Sequence, residues 1–416
     1  LKRRFRISLP VIFAAFIPAK ELKRFNQFLQ KGSSAGHTGP YRLVKKEEEA
    51  RQTEEVDYDF AGKRVLLVYG GGSIKRNGIY DEVVLQLQKA GREYVELGGV
   101  EPNPSLHTVE KGVAVCRREQ VDVIVAIGGG SAIDCAKVVS AAVCSDQTPW
   151  ELVLHPKEIK RALPVIAVLT IAATGSEMDH IAVITNPETK EKIGTRNPLL
   201  RPKAAILDPT FTFSVSAYQT ACGVADIMSH TMESYFAREE AELQDRFAEG
   251  ILKVCIKYGP IVLQEPTHYE ARANLMWAAS WAINDMLKLG HMTQWSVHPM
   301  EHPLSAFYSV THGEGLAILT PHWMEYVLSE DTVDKFARFA REIWQVEEKD
   351  VWDMAREGIE RLRGFYEQLH LRSSLGELGI DETHLDAMAM DAARQTVNGY
   401  VSLSAEDVKN IYRNSL

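Results

Sequence analysis

Between residues 63 and 207 the chain repeats one local plan: a short apolar run, a turn of small residues, then a segment with helical spacing. The first run, Arg64–Tyr69, ends in Gly70-Gly71-Gly72-Ser73, and helical spacing follows over 80–90. The second, 93–97, leads through Gly98-Gly99 to a helix over 108–119. The third, 121–127, ends in Gly128-Gly129-Gly130-Ser131 with a helix over 132–142 directly behind it. Runs over 163–169 and 204–207 complete the set. Strands apolar on both faces need cover on both sides, which alternating helices supply. A parallel sheet between helical layers is therefore expected.

Beyond Asp208 the strand signals fade, and residues 221–238, 240–258, 269–289, 331–344 and 351–369 carry helical spacing. Two or three domains suit 416 residues. The division expected is an α/β dinucleotide-binding domain over 58–208 and an all-helical metal and substrate domain over 209–416, with ligands in the cleft between them. Residues 1–46 stand apart: 11 Lys and Arg face a single acid, Glu21, although the whole chain carries −9. Lys2-Arg3-Arg4 before an apolar run over 7–17 has the order of a signal peptide, but no small-x-small cleavage site follows. The segment 1–57 is expected to be an atypical basic arm, extended or poorly ordered.

The acidic net charge argues against a nucleic-acid partner, which needs a positive field. No apolar run reaches the roughly 18 residues that span a bilayer. The five cysteines (Cys116, Cys135, Cys144, Cys222, Cys255) form no CxxC pair, which suits a reducing, cytoplasmic compartment.

Two motif groups carry chemistry. Neither Gly-Gly-Gly-Ser turn is a GxGxxG or a GxxxxGKS, and a single such turn serves equally as a tight βα connection. Two of them at strand ends favour a nucleotide across the sheet edge, because glycine admits close backbone approach and a helix start offers unpaired N–H groups. Residues 169–177 add a third small-residue turn with the hydroxyls of Thr170 and Thr174. The histidines are the sharper signal: six of thirteen lie between His230 and His312. Asp226 and His230 are spaced i, i+4 on one helix face, and His298 and His302 repeat that spacing. A carboxylate with imidazoles and no thiolate suits catalytic Fe²⁺ or Zn²⁺ with an open position. His268, His291 and His322 are read as structural or solvent-facing, and Cys135 and Cys222 as packing thiols.

With these motifs in view, residues 59–416 resemble the iron-containing (group III) alcohol dehydrogenases, nearest the branch of butanol dehydrogenases and NADPH-dependent aldehyde reductases. The resemblance rests on Tyr69-Gly-Gly-Gly-Ser-Ile74, Glu101-Pro-Asn-Pro104, Gly128-Gly-Gly-Ser-Ala-Ile-Asp134 and Ala173-Thr-Gly-Ser-Glu177. It continues in Gly223-Val-Ala-Asp-Ile-Met-Ser-His230, Gln244-Asp-Arg-Phe-Ala-Glu-Gly250 and the spacing of His298, His302 and His312. It implies a Rossmann-like N-terminal domain and a helical metal domain, the dehydroquinate synthase-like architecture. It implies Asp226, His230, His298 and His312 as ligands of one divalent metal, and His302 as a relay for the alcohol proton. Gly129, Gly130 and Ser131 would cradle the pyrophosphate, with Asp134, Thr170, Thr174 and Lys192 lining the groove and Asn103 on the adenosine side. The turn Gly71-Gly72-Ser73 would also meet the coenzyme. Gly72 stands where NAD-preferring relatives often carry an aspartate, and Lys75-Arg76 follows, so NADP(H) is expected over NAD(H). Substrates would be small aliphatic aldehydes and primary alcohols, handled by a homodimer, with Trp295, Met292 and Phe307 as possible apolar lining.

Three features depart from the family pattern. Residues 1–57 show no opening strand. Pro299 and Pro303 follow key histidines, although proline inside a helix costs about 3 kcal/mol. A helix start near His298 is therefore expected, and Pro303 leaves the position of His302 open. Asp179-His180 replaces Asn and a small residue, placing a carboxylate where it would weaken coenzyme binding. A polyol- or dehydroquinate-type enzyme of the same superfamily would want several cations near the metal, whereas 285–312 offers only Lys288. A catalytically degenerate metal- or nucleotide-binding protein is the other alternative.

Overall fold

The computed structural model describes residues 15–16 and 64–416, apart from 292, 294, 348 and 349. The α/β half comprises β1 (Ala15–Phe16), β2 (Arg64–Tyr69), α1 (Ser73–Arg76), α2 (Ile79–Lys89), β3 (Glu93–Leu97), α3 (Leu106–Glu119) and β4 (Val123–Gly128). It continues with α4 (Gly130–Ala142), α5 (Pro149–Leu154), β5 (Val165–Leu169), β6 (Ile181–Asn186), β7 (Glu191–Arg196) and β8 (Ala204–Leu207). Six strands form one parallel sheet in the order β1-β8-β5-β4-β2-β3. The period-2 alternation divides the apolar runs between two cores. Leu66, Val68, Ile124 and Ala126 face Val109 and Val113 of α3 and Ile133 and Ala136 of α4. Val65, Leu67, Val123 and Val125 face Val83 and Leu87 of α2.

Two details of this half differ from the sequence reading. Ala15–Phe16, inside the segment read as a basic arm, pairs with Ile206 and Leu207 as an edge strand. The rest of that arm, including its turn cluster at 31–36, lies outside the described residues. An antiparallel hairpin, β6 with β7, extends from the α/β half toward the helices and was not anticipated. Its turn passes through Lys190 at φ +55, a conformation usually signalled by glycine or asparagine.

The helical half contains α6 (Ala217–Tyr235), α7 (Glu242–Gln264), α8 (Tyr269–Ile283), α9 (Val297–Tyr308), α10 (His312–Val327), α11 (Val333–Trp344), α12 (Val351–Gln368), α13 (Leu385–Thr396) and α14 (Ala405–Asn414). The helix expected over 269–289 stops at Ile283, because Asp285 takes φ +74. From Thr220 onward α6 is buried on every side, so its polar residues have no solvent to face. Gly313 lets α10 press against it: a Cβ there would lie 2.0 Å from the Cys222 carbonyl oxygen. That approach brings the start of α10 to the middle of α6.

Candidate active site

Three helices converge here. Asp226 and His230 lie one turn apart on α6, His298 stands in the first turn of α9, and His312 opens α10. Asp226 Oδ1 is 3.6 Å from His230 Nδ1, 3.8 Å from His298 Nε2 and 3.7 Å from His312 Nε2. Asp226, His298 and His312 offer ligand atoms within 4.8 Å of one another. His230 stands slightly apart, its ring stacked on that of His298 at 4.6 Å. Asp226 Oδ1, His230 Nδ1 and His298 Nε2 are buried without a hydrogen-bond partner among the described residues. Buried polar atoms are rarely left so, and three aimed at one another from a carboxylate and two imidazoles fit a divalent cation of the Fe²⁺ or Zn²⁺ type.

A second layer holds these rings. Glu233, seven residues after Asp226 and so on the same face of α6, places Oε1 3.1 Å from His298 Nδ1. Glu301, fully buried on α9, bonds His312 Nδ1 and accepts the Ser305 hydroxyl. Each carboxylate fixes its ring with Nε2 turned toward Asp226, the usual means of orienting a metal-binding histidine. The sequence reading missed both acids, although helix-face arithmetic from Asp226 and His298 points to them. Glu233 also accepts the backbone N–H groups of Ser296, Val297 and His298, at 2.7, 2.9 and 2.9 Å. It thereby caps α9 one residue before the expected start. Pro299 falls in the first turn, where proline is tolerated, while Pro303 sits inside a helix that continues to Tyr308.

The electrostatics follow from burial and charge. Burial alone would raise the Asp226 carboxyl, but the charge of His230 and the contacts of His298 and His312 hold it below the usual range. Burial also works against protonated His298, yet Asp226 and Glu233 outweigh it and raise that ring to about 9. His230 is pushed down to about 3, chiefly by burial. His302 lies well below its ordinary value through burial and then the charge of Lys192, so its ring is neutral. Its Nδ1 has no hydrogen-bond partner among the described residues, and its ring centre is 5.9 Å from that of His312.

A cleft of about 1030 Å³, partly open to solvent, joins this cluster to the sheet. His230, His298, His302 and His312 line its helical side, and Asn103, Gly130, Ser131, Asp134 and Thr174 its α/β side. Gly130 opens α4, which has no side-chain cap, and a Cβ there would lie 2.5 Å from Thr174 Oγ1. The bare helix start and the glycine therefore form a cradle that fits a pyrophosphate. Among the described residues, Gly129 and Thr170 adjoin this lining without joining it, and Gly71, Gly72 and Ser73 stand one strand away, after β2.

Lys192 and Asp134 line the cleft and also have protein partners of their own. Lys192 lies at the metal end of the cleft, its amine 3.1 Å from both Glu301 Oε2 and Ser305 Oγ and 3.2 Å from His312 Nδ1. Asp134 spends its oxygens on Ser176 Oγ and the Val183 N–H, at 2.5 and 2.8 Å, and so positions the turn and β6. Burial pushes its carboxyl up to about 6 against the opposing charge of Lys137. Asp179 does not confront the coenzyme groove with a bare charge: buried Lys137 holds it at 2.5 Å. Trp295 lines the cleft with its ring edge-on to His298 at 4.8 Å. Phe307 packs instead against His384, with Lys190 over its face, and Met292 lies outside the described residues.

A parallel α/β sheet facing an all-helical unit, with a carboxylate–imidazole cluster in the cleft, defines a metal-dependent dinucleotide-type enzyme architecture. The family model for iron-containing alcohol dehydrogenase matches residues 40–209, and that for the C-terminal part of the Fe-containing alcohol dehydrogenase family matches 220–416. The chain is 52% identical over 359 residues to NADH-dependent butanol dehydrogenase A of Clostridium acetobutylicum, covering 85% of this chain and 92% of the relative. It is 37% identical to the NADPH-dependent aldehyde reductase YqhD of Escherichia coli, covering 85% and 90%. The crystal structure of NADH-dependent butanol dehydrogenase A from Thermotoga maritima superposes with a TM-score of 0.86 at 33% identity, covering 99% of this chain and 98% of the other. This chain belongs to the iron-containing alcohol dehydrogenase family.

Proposed function

We propose that this protein interconverts small aliphatic aldehydes and primary alcohols, using NAD(P)H and one divalent metal held by Asp226, His230, His298 and His312. The observation that carries the reading is the set of unpartnered buried atoms of Asp226, His230 and His298 in the cleft that Gly130 and Thr174 enter from the other side. A bound Fe²⁺ or Zn²⁺ supplies Lewis-acid polarisation of a carbonyl oxygen, and reduced nicotinamide supplies the hydride. Glu233 and Glu301 hold the ligand rings in register. Neutral His302 presents an unpaired nitrogen at the cleft and relays the proton that the alcohol oxygen gains on reduction. Trp295 and Ile283 give the aliphatic chain an apolar wall.

A polar, acidic substrate is disfavoured because Lys192 and Lys288 are already engaged by carboxylates. Lys192 is held by Glu301, and Lys288 pairs with Asp285 at 2.8 Å. Gly72 leaves the coenzyme turn without a carboxylate to repel a 2′-phosphate, which supports NADP(H). The pairing of Lys75 with Glu96 at 3.2 Å makes that preference over NADH slight. Free thiols at all five cysteines suit a cytoplasmic site, and among the described residues no helix is long and apolar enough to cross a membrane. The homodimer follows the family resemblance.

The test is coenzyme oxidation with butanal before and after chelation, followed by metal add-back. Turnover should vanish with the chelator and return with Fe²⁺ or Zn²⁺. Turnover indifferent to metal would contradict the proposed chemistry. Tight coenzyme binding without turnover would favour the degenerate binding protein.

A further inference from the structure

A charged cluster surrounds the first glycine turn, away from the metal. Glu96, near the C-terminal end of β3, accepts hydrogen bonds from the hydroxyls of Tyr69 and Tyr80. Lys75 Nζ lies 3.2 Å from the same carboxylate and sits 4.8 and 4.4 Å from the ring centres of Tyr69 and Tyr80. Lys75 belongs to α1, which Gly72 opens at φ +90, only two residues past Ser73. Both charged side chains keep solvent access, with 45% of Lys75 and 32% of Glu96 exposed, so the pair can rearrange.

We propose that Glu96 is a specificity-determining residue for the coenzyme: by engaging Lys75 it withholds a cation from a 2′-phosphate and keeps NADH competitive with NADPH. This rests on the coenzyme reading given above. β2 lies between β4 and β3 in the sheet, so its turn is one strand from the pyrophosphate cradle at α4. Adjacent strands are about 4.8 Å apart, and a dinucleotide crossing the sheet edge in that direction brings its adenosine ribose over the turn after β2. NADPH differs from NADH there by one phosphate, carrying roughly two negative charges. An unengaged lysine beside it would attract that group. A lysine compensated by a carboxylate does so weakly, and the carboxylate itself repels the phosphate. Arg76 is exposed next to Lys75 and is common to both situations.

The experiment compares the NADPH/NADH ratio of kcat/KM with one aldehyde, alongside the dissociation constants of both coenzymes, in wild type, Glu96→Gln, Lys75→Ala and the double variant. Gln keeps an acceptor for one tyrosine hydroxyl and a donor for the other while removing the charge. Glu96→Gln should raise the ratio about three- to tenfold, mainly through tighter NADPH binding. Adding Lys75→Ala should cancel most of that gain, leaving only the part due to the carboxylate's own repulsion, whereas Lys75→Ala alone should move the ratio by less than about twofold. If Glu96→Gln does not fold, Glu96→Asp, whose shorter carboxylate retreats from the amine, should shift the ratio in the same direction by a smaller factor. A ratio unmoved by either Glu96 variant, or raised equally without Lys75, overturns the assignment. Wild-type protein that turns over neither coenzyme contradicts the reductase reading instead.

Discussion

Asp226→Asn should abolish aldehyde reduction, lowering kcat/KM more than about a thousandfold at a fixed metal concentration. Asn preserves the size of the side chain and removes only its charge. In the native chain that charge is buried and faces three imidazoles within 3.8 Å. Among the described residues it is the carboxylate that faces those ring nitrogens, and it is held in the ionised form despite burial. The measurement is metal affinity by chelator competition alongside steady-state kinetics. Loss of both together is expected. Full metal affinity with lost activity, or unchanged activity, would count against Asp226 as a ligand.

The second large effect concerns Glu233, which touches no substrate in this account. Its carboxylate joins the ring of His298 to the first N–H groups of α9, so one side chain fixes both the ligand and the helix that carries it. Glu233→Ala strands several buried donors and should destabilise the fold by about 3 kcal/mol or more. It should also weaken metal binding about 10–100-fold. Glu233→Gln keeps an acceptor oxygen and should retain most of the stability while still losing affinity. The split separates positioning from mere structure: a purely structural Glu233 would leave the metal affinity of folded Glu233→Gln at the wild-type level.

How much of this was visible beforehand depends on whether the relevant contacts are local in sequence. The central strands announce themselves because β4 and β5 are apolar at every position, as double-sided burial requires. The Asp226–His230 and His298–His302 spacings are likewise local, and a helix turns them directly into a shared face. The β6–β7 hairpin gives a weak signal because β7 buries only Lys192 and Thr195, both polar, and the turn uses Lys190 rather than glycine at positive φ. Glu233 and Glu301 look like surface acids in one dimension. Only the burial of α6 and α9 gives them their work. Lys137 and Asp179 are 42 residues apart, so nothing local shows that the carboxylate comes with its own cation. The partners of Lys192, Glu301 and Ser305, likewise lie more than 100 residues away, so its place beside them has no local signal.

Anomalous scattering from crystals loaded with iron or zinc addresses the metal centre most directly. One strong peak is expected among Asp226, His230, His298 and His312, at bonding distance from the carboxylate and the three rings. Protein saturated with metal that shows its peak elsewhere, or none at this point, would contradict the assignment of these residues and the chemistry built on them.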